Sequence, residues 1–515
     1  LPRVKKEDGE GPLEQYVMGG VTDDTVYELV YDGSMYQFAT GFRNADGEVE
    51  LGQVWNMEGW DAEQSKDIMI LPWHSDLIEK QTVVVPSKYE KYRSKTQLYQ
   101  DTLAFFKRYV DLPEQENKIN THYVALSWLY DRLGELPYRR FLGDYGTGKS
   151  RALTAMLMLC FRGTVFKATA TPATIFRMIE RVRGTLCIDE LNLSGGIQSE
   201  AFTAIESVLC AGYEKNSSVI RCVPSEGEKG YSLEAFQTFG PKVLSTRLRF
   251  KDRALESRCL TANTYRTKNP AIPVSLGEDF YKEAQSLRNQ WLTFRLVNYW
   301  KPLQEAKAIL ELYDIEPRIR QIIAPLTRVA YRDYDFFVEY AKDQHEEAII
   351  LRQETYEGRL LSAMFDIVGA KEEDVQVEKL TNVLRDQDDT WNPRRVGGVL
   401  RSLGFRTYRK IQGERKLRYI RNTKRYHIRF MQMLDEYYLI DNGVETGQNG
   451  PSGPSKRLNG KGPDGPERPS VPSVPSQETP KPIYNCPFCD YIAPNQYVLE
   501  EHLIRIHKFQ GDDEK

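Results

Sequence analysis

GDYGTGKS, residues 143–150, is the stretch from which the rest of the chain can be read. Gly143, four residues, then Gly148-Lys149-Ser150 is the spacing of a phosphate-binding loop. PYRRFL before it is short and partly apolar, enough for a strand, and RALTAMLMLC after it has helical composition. Strand, glycine loop and helix point backbone N–H groups of the loop and the helix start at phosphates. Gly143, Gly146 and Gly148 permit backbone positions that a side chain would block, and with Thr147 they are expected to bind the nucleotide. Lys149 is expected to neutralise the β- and γ-oxygens of ATP, and Ser150 to hold magnesium.

A second stretch gives the loop a partner. GTLCIDE, residues 184–190, is an apolar run ending in Asp189-Glu190. Buried parallel strands read as such runs, and ligands sit beyond their carboxyl ends. Asp189 is then placed for the magnesium shell and Glu190 for orienting or deprotonating an attacking water. The two motifs together indicate an NTP-hydrolysing core of α/β class.

Composition is permissive. A chain of 515 residues can form two to four domains. A net charge of −3 with 28% charged residues favours no partner, so a nucleic-acid signal has to be local. There is no run of about 18 apolar residues and no apolar signal core near the start, so no membrane is expected. Cys160, Cys187, Cys210, Cys222 and Cys259 are scattered and read as small buried hydrophobes, an intracellular usage pattern. A cytoplasmic location is expected, at the nucleoid if the source is bacterial or archaeal.

In chain order, residues 1–23 are a polar N-terminus. Residues 24–87 read as a small β-rich domain (TVYELVY, MYQFATGF, EVELGQVW, IMIL, QTVVV) in which Tyr27, Tyr31, Tyr36 and Phe38 make a core or a base-stacking face. Residues 88–135 are helical and should pack beside or above the nucleotide. The ATPase core spans 136–266, with VFKATA, TLCIDE, KVLST and RCLTANT as further strands and 217–238 as an inserted hairpin. Residues 267–370 read as a helical lid and helical extension.

The ordered set GDYGTGKS, TPATIFRMIE, TLCIDE, CAGYEKNSSVIR, FGPKVLST and ALESRC resembles AAA+ ATPases of phage, plasmid and mobile-element replication modules, helicase-like and often primase-associated. The resemblance covers roughly 120–340. It implies an arginine finger completing a neighbouring subunit's site, Arg258 in Ser-Arg-Cys, with Arg253 in reserve. It also implies a lid arginine sensing the nucleotide of its own subunit, Arg318, with Arg320 a close rival. Ser245 and Thr246 stand where a polar sensor would touch the γ-phosphate, although the asparagine usual there is absent.

From 371 to 440 the character changes. EKLTNVLRDQ and NPRRVGGVLRSLGF read as helices, then TYRKIQGERKLRYI and KRYHIRF as two basic β-like runs, which is winged-helix grammar. Residues 392–430 hold thirteen Lys/Arg and one acid, Glu414. Arg394, Arg395 and Arg401 would lie on or near a recognition helix, and Arg409, Lys410, Arg415, Lys416 and Arg418 on a wing, all able to reach phosphates. Residues 441–482 are a Gly/Pro/Ser linker without apolar periodicity. In residues 483–508, Cys486 and Cys489, then His502 and His507, have the spacing of a C2H2 zinc finger, with Tyr484 and Leu499 at apolar positions and Ala493 where a larger aromatic is common. The finger is expected to bind DNA or a protein. Residues 509–515 are a polar tail.

The expectation is therefore a P-loop NTPase core of AAA+ type with a helical lid, a β-rich N-terminal domain, a winged helix and a zinc finger. It would use ATP, Mg2+ and Zn2+ and work as an oligomer, a hexamer among the sizes open, on single-stranded or forked DNA as a replicative or mobile-element helicase. The alternatives are a nucleotide-switched DNA-binding regulator or helicase loader that moves no strand, and a defence or protein-remodelling ATPase.

Overall fold

Apolar alternation and short turns build the first part of the chain into two antiparallel-rich sheets. In the computed structural model the strands are β1 (Leu13–Val17), β2 (Gly19–Val21), β3 (Thr25–Tyr31), β4 (Tyr36–Arg43), β5 (Val49–Val54), β6 (Met57–Asp61) and β7 (Lys66–Pro72). They pair in the orders β2-β3-β4-β5 and β1-β7-β6. The structure describes residues 13–61, 66–167, 171–191, 200–224, 231–330, 333–369, 371, 373–412, 415–421 and 424–439, and two short strands near the C-terminus.

The period-two geometry of β3 divides its side chains between two cores. Tyr27 and Leu29 join Met18 and Phe38 in a small cluster. Val26 and Val30 enter the main core, as does Ala39 of β4. Tyr27 and Phe38 are thus core, with ring centroids 5.2 Å apart, while the half-exposed Tyr31 and Tyr36 stack at 4.3 Å. Glu28 points with Val26 and Val30 into the main core and is buried there. Residues 24–87 therefore share a core with the helices and central sheet downstream, and the described residues from 13 to 439 form one compact unit.

After α1 (Asp76–Glu79), the QTVVV run supplies β8 (Val83–Val84). It does not stay with the N-terminal sheets but caps the edge of the central one, antiparallel to β10 (Gly163–Lys167). Two N-terminal helices, α2 (Lys95–Tyr109) and α3 (Glu114–Trp128), pack in the core, α2 being capped by the Ser94 hydroxyl. The central elements are β9 (Tyr138–Leu142), α4 (Lys149–Leu159), β10, α5 (Pro172–Val182), β11 (Leu186–Asp189), α6 (Glu200–Ala211), the hairpin β12 (Ser218–Pro224) and β13 (Tyr231–Gln237), β14 (Lys242–Thr246), α7 (Arg253–Glu256) and β15 (Cys259–Asn263). The sheet order is β15-β9-β14-β11-β10-β8, parallel throughout except for β8.

Strand β9 carries two consecutive arginines that are fully buried, one on each face. Arg139 donates to Asn120 Oδ1 (2.7 Å) and Glu116 Oε2 (2.7 Å). Arg140 makes a two-pronged pair with Glu256 at 2.5 Å and a bond to Thr261 Oγ1 at 2.8 Å. Glu256, within ALESRC, is thereby a structural ion-pair partner. Cys160, Cys187 and Cys259 are buried as expected, but Cys210 and Cys222 are exposed, at the end of α6 and on the protruding hairpin.

The helical stretch continues with α8 (Glu278–Asn298), α9 (Lys307–Leu310), α10 (Pro317–Val329) and α11 (Tyr334–Gln353). The first part of this stretch was expected as a lid; α8 instead packs against α2, α3 and α4 and strands β3–β5. Trp291, Leu292 and Leu296 of α8 are fully buried, and an element so deeply set in a core cannot act as a movable cover.

A second core holds α12 (Tyr356–Val368), β16 (Val375–Gln376), α13 (Val377–Gln387), α14 (Pro393–Ser402), β17 (Thr407–Gln412), β18 (Arg415–Ile420) and α15 (Lys424–Glu436), with sheet order β16-β18-β17. Two expectations change here. Leu360, Leu361 and Met364 place α12 in this core rather than in a helical extension ending at 370. The hairpin lies wholly within TYRKIQGERKLRYI, and KRYHIRF opens a helix. Phe430 and Leu434, one turn apart, bury that helix's apolar side, and this period of four decided against a strand. No described helix is long and apolar enough to cross a membrane. In the unit from Val444 onward, β19 (Tyr484–Asn485) and β20 (Ile492–Ala493) pair antiparallel.

Candidate nucleotide site and basic surface

Strand β9 lies between β14 and β15, and neither is the strand that comes next after it in sequence, so a crevice opens beyond its carboxyl end. The glycine loop turns there. Gly146 (φ 74°) and Gly148 (φ 87°) take left-handed backbone, and Gly148 stands just before α4. At Gly143 a Cβ would come within 2.3 Å of Thr264 Oγ1 and 2.6 Å of the Thr264 carbonyl. Thr147 Oγ1 meets Thr264 Oγ1 at 2.8 Å, tying the loop to the segment after β15.

Lys149 is nearly buried and donates to the Asp144 carbonyl at 2.5 Å. Burial, then the Arg247 charge, depress its proton affinity, opposed by Asp144, Asp189 and Glu190. Ser150 Oγ lies 3.2 Å from Asp189 Oδ1. The same oxygen accepts from Ser245 Oγ at 2.5 Å and from the Glu190 N–H at 3.0 Å, and that N–H also meets Ser245 Oγ at 3.0 Å. Glu190 is held at φ 55°, unusual for a side-chain-bearing residue and worth roughly 1–2 kcal/mol of strain. The network turns the chain sharply and leaves the Glu190 carboxylate 70% exposed over the crevice.

The residues fit a magnesium nucleotide. Glycine backbone and the α4 start form an anion cradle, Lys149 is within the loop, and a hydroxyl and a carboxylate converge as two oxygen donors of the kind magnesium takes while keeping waters. Thr246, the residue after Ser245, has a buried hydroxyl with no hydrogen-bond partner among the described residues, while its carbonyl accepts from the Gly143 N–H at 3.2 Å.

Sequence reasoning missed Arg247. Its guanidinium lies 3.9 Å from Glu190 Oε1 and 5.6 Å from the centroid of Tyr145 in the loop. The signal available was its position directly after the sensor-like Ser245-Thr246 pair.

Arg258 and Arg318 are not brought to this loop. The Arg258 carbonyl accepts from the N–H of Tyr138, the first residue of β9, so Arg258 is level with the amino end of the strand whose other end carries the loop. Five strand residues separate the levels by roughly 16 Å. Arg258 donates to the Cys210 carbonyl at 2.7 Å and lies 5.3 Å from the Tyr213 ring. Arg318 lies 5.7 Å from the same ring and donates to Gln321 Oε1 at 2.7 Å. Arg318, expected to sense the nucleotide of its own chain, is thus placed against the Tyr213 ring that Arg258 also faces, away from the loop. Arg253 is exposed and pairs with Glu357 at 3.3 Å, and Arg320 donates to the Leu310 carbonyl at 2.5 Å.

In the second core, Asn392 caps α14 by accepting from the Arg394 and Arg395 N–H groups. Arg394 is exposed; Arg395 donates to the Thr390 carbonyl and lies 4.9 Å from the Tyr356 ring; Arg401 donates to the Gly397 carbonyl. On the hairpin Arg409 stands directly opposite Arg418, and Lys410, Arg415 and Lys416 are also exposed. Like charges facing across a strand pair are destabilising unless an anion lies between them. Cys486, Cys489, His502 and His507 lie outside the described residues, between and beyond β19 and β20. Among the described residues no three His, Cys, Asp or Glu side chains converge as a metal group.

No family model matches the chain, and no curated protein matches it. Among solved structures it is similar to the active helicase Cch of SCCmec type IV, at 14% identity and a TM-score of 0.36, over 68% of this chain and 74% of that one. The NrS-1 C-terminal region in its apo form gives 10% and 0.35 over 77% and 97%. A full-length MCM homolog from Methanopyrus kandleri gives 13% and 0.33 over 62% and 77%. Scores below 0.5 at such identities transfer neither fold nor activity.

Proposed function

We propose that the chain is an ATP-hydrolysing, DNA-associated motor of AAA+ type that works as an oligomer, a replicative or mobile-element helicase in the first place. The observation that carries this reading is the network joining Ser150, Asp189, Ser245 and the Glu190 backbone beside the glycine loop. Lys149 would exchange the Asp144 carbonyl for phosphate oxygens. Ser150 and Asp189 would hold magnesium, which neutralises charge on the β- and γ-phosphates. Glu190, aimed by Ser245, would take the proton of the attacking water, and Thr246 would offer its hydroxyl to the phosphate or the water. Arg247 supplies a cation from the same chain; Arg247→Ala should lower turnover about tenfold or more, with less effect on nucleotide affinity, in single-turnover hydrolysis.

Arg258 and Arg318, both against the Tyr213 ring and far from their own loop, would suit a shared role toward the nucleotide of a neighbouring subunit. Arg258→Ala should cut turnover about 10³-fold. Mixing it with a Lys149→Ala chain that cannot bind nucleotide should restore part of the activity, because one intact composite site can then form. No recovery on mixing would remove the trans assignment.

Residues 356–436 would serve as a winged helix that binds nucleic acid through α14 and the β17–β18 hairpin. The β19–β20 pair flanks Cys486 and Cys489 as the hairpin of a C2H2 finger would, with His502 and His507 completing a zinc site. The deciding experiment is ATP hydrolysis without nucleic acid and with single strand, duplex and fork, followed by strand displacement. Fork-stimulated hydrolysis with displacement is expected; stimulation without displacement would make the chain a loader or switch, and no stimulation by any DNA would overturn the motor reading.

A further inference from the structure

The basic stretch of residues 392–430 does not fold into one surface. Because KRYHIRF is helical, Lys424, Arg425 and Arg429 leave the wing and line α15. With Gly404 and Arg406, just past α14, they border an open groove of about 1050 Å³, in which Glu436 is the sole carboxylate among the described residues. We propose that this groove is a second contact for the sugar–phosphate backbone of nucleic acid, separate from α14 and the β17–β18 hairpin. The proposal rests on the nucleic-acid reading of this domain.

Three features of the groove carry it. Arg406, Lys424, Arg425 and Arg429 are all exposed, and among the described residues none has a carboxylate partner within ion-pair distance. Nearby arginines are paired: Arg352 with Glu316 at 2.5 Å and Arg359 with Asp388 at 3.5 Å. Arg425 and Arg429 are also one helical turn apart, a like-charge spacing that weakens a helix unless an anion spans it. The site has a built part as well. Gly404 takes φ 78°, and a Cβ there would meet the Arg429 guanidinium at 2.9–3.2 Å, so that cation is seated against backbone. Finally, the groove is open and far larger than one phosphate. Among its described lining residues the groove presents one aromatic ring, Tyr426, and one side-chain amide, Gln432, too few to stack on or read a run of bases. Three guanidiniums and one ammonium spread along an open groove suit a passing backbone.

The test uses the full chain and a fluorescein-labelled duplex, with anisotropy followed from about 50 to about 200 mM salt. Arg425→Ala/Arg429→Ala should weaken binding about tenfold at mid-range salt and lower the slope of log K against log salt by about 2, one unit for each phosphate no longer neutralised. Arg425→Lys/Arg429→Lys should keep the slope, because lysine also binds phosphate. Lys410→Ala/Lys416→Ala on the hairpin should lower it independently, and the four-site variant should show both reductions. Circular dichroism and melting should be unchanged in each variant. An unchanged slope in the α15 variant, with the hairpin variant impaired, would overturn this proposal alone. Binding of a labelled polyglutamate peptide that disappears in the α15 variant while its DNA isotherm stays unchanged would also overturn it. No binding of duplex or single strand by the unaltered chain would overturn the nucleic-acid reading as well.

Discussion

Glu190→Gln is expected to lower ATP turnover about 10²–10⁴-fold while nucleotide affinity stays within a few fold. The amide keeps the size of the carboxylate but cannot accept the proton of an attacking water. What positions residue 190 survives the change. Its N–H bonds to Asp189 Oδ1 and Ser245 Oγ, both 3.0 Å, come from the backbone, so the φ of 55° is retained. Single-turnover hydrolysis with a fluorescent nucleotide to follow binding separates the two effects. Lys149→Ala gives the contrast, since it removes a cation from the cradle itself and should abolish binding first. Ser245→Ala should fall between them, losing turnover through a misaimed Glu190 and an Asp189 with one fewer donor. Turnover within threefold of the unaltered chain for Glu190→Gln would assign the base elsewhere.

The second large effect is on folding. Glu28→Gln should destabilise the main unit by about 3–5 kcal/mol, seen as a lower denaturant midpoint with little change in slope. Glu28, Arg162 and Arg295 are all buried. Glu28 Oε2 accepts from Arg162 at 2.5 Å and Oε1 from Arg295 at 2.7 Å, while Arg295 also holds Asp131 at 2.9 and 2.8 Å. Two buried guanidiniums thus share the Glu28 carboxylate. An amide of equal size turns an NH2 group toward one of them and leaves Arg162 without its carboxylate, an uncompensated charge in a dry interior. A midpoint within experimental error of the unaltered chain would mean that solvent reaches the cluster. The same cluster sets an acid limit. Burial works against the Asp131 charge, but Arg295 beside it holds the carboxyl below its ordinary 3.8. The stability it contributes is full above that value and is lost as pH falls toward the depressed one.

How much of this was legible in the residues depends on how far apart they lie. PYRRFL with GDYGTGKS, TLCIDE and KVLST each put strand and chemistry in one short run, so β9, β11, β14 and the loop between β9 and α4 could be read directly. The 217–238 hairpin was legible for the same reason. KRYHIRF was not: its seven residues alternate well enough for a strand, and only Leu434 beyond its end reveals the helical face with Phe430. Exposure of Cys210 and Cys222 depends on what covers α6 and the hairpin, which their immediate neighbours do not encode.

The sequence by itself determined the glycine loop with its lysine and serine, the acidic pair at the end of β11 and the segregation of basic charge into residues 392–430. Each is a matter of which side chains stand within a few positions of one another along the backbone. Only the tertiary structure decided that Arg318 sits with Arg258 at the amino end of the sheet, that α8 is core and not a lid, and that the basic charge divides between the hairpin and α15. It alone joined Glu28 to Arg162 and Arg295, 134 and 267 residues away. Pairings at such separations arise from which strand neighbours which and which face each residue presents, and they leave no periodic trace along the chain.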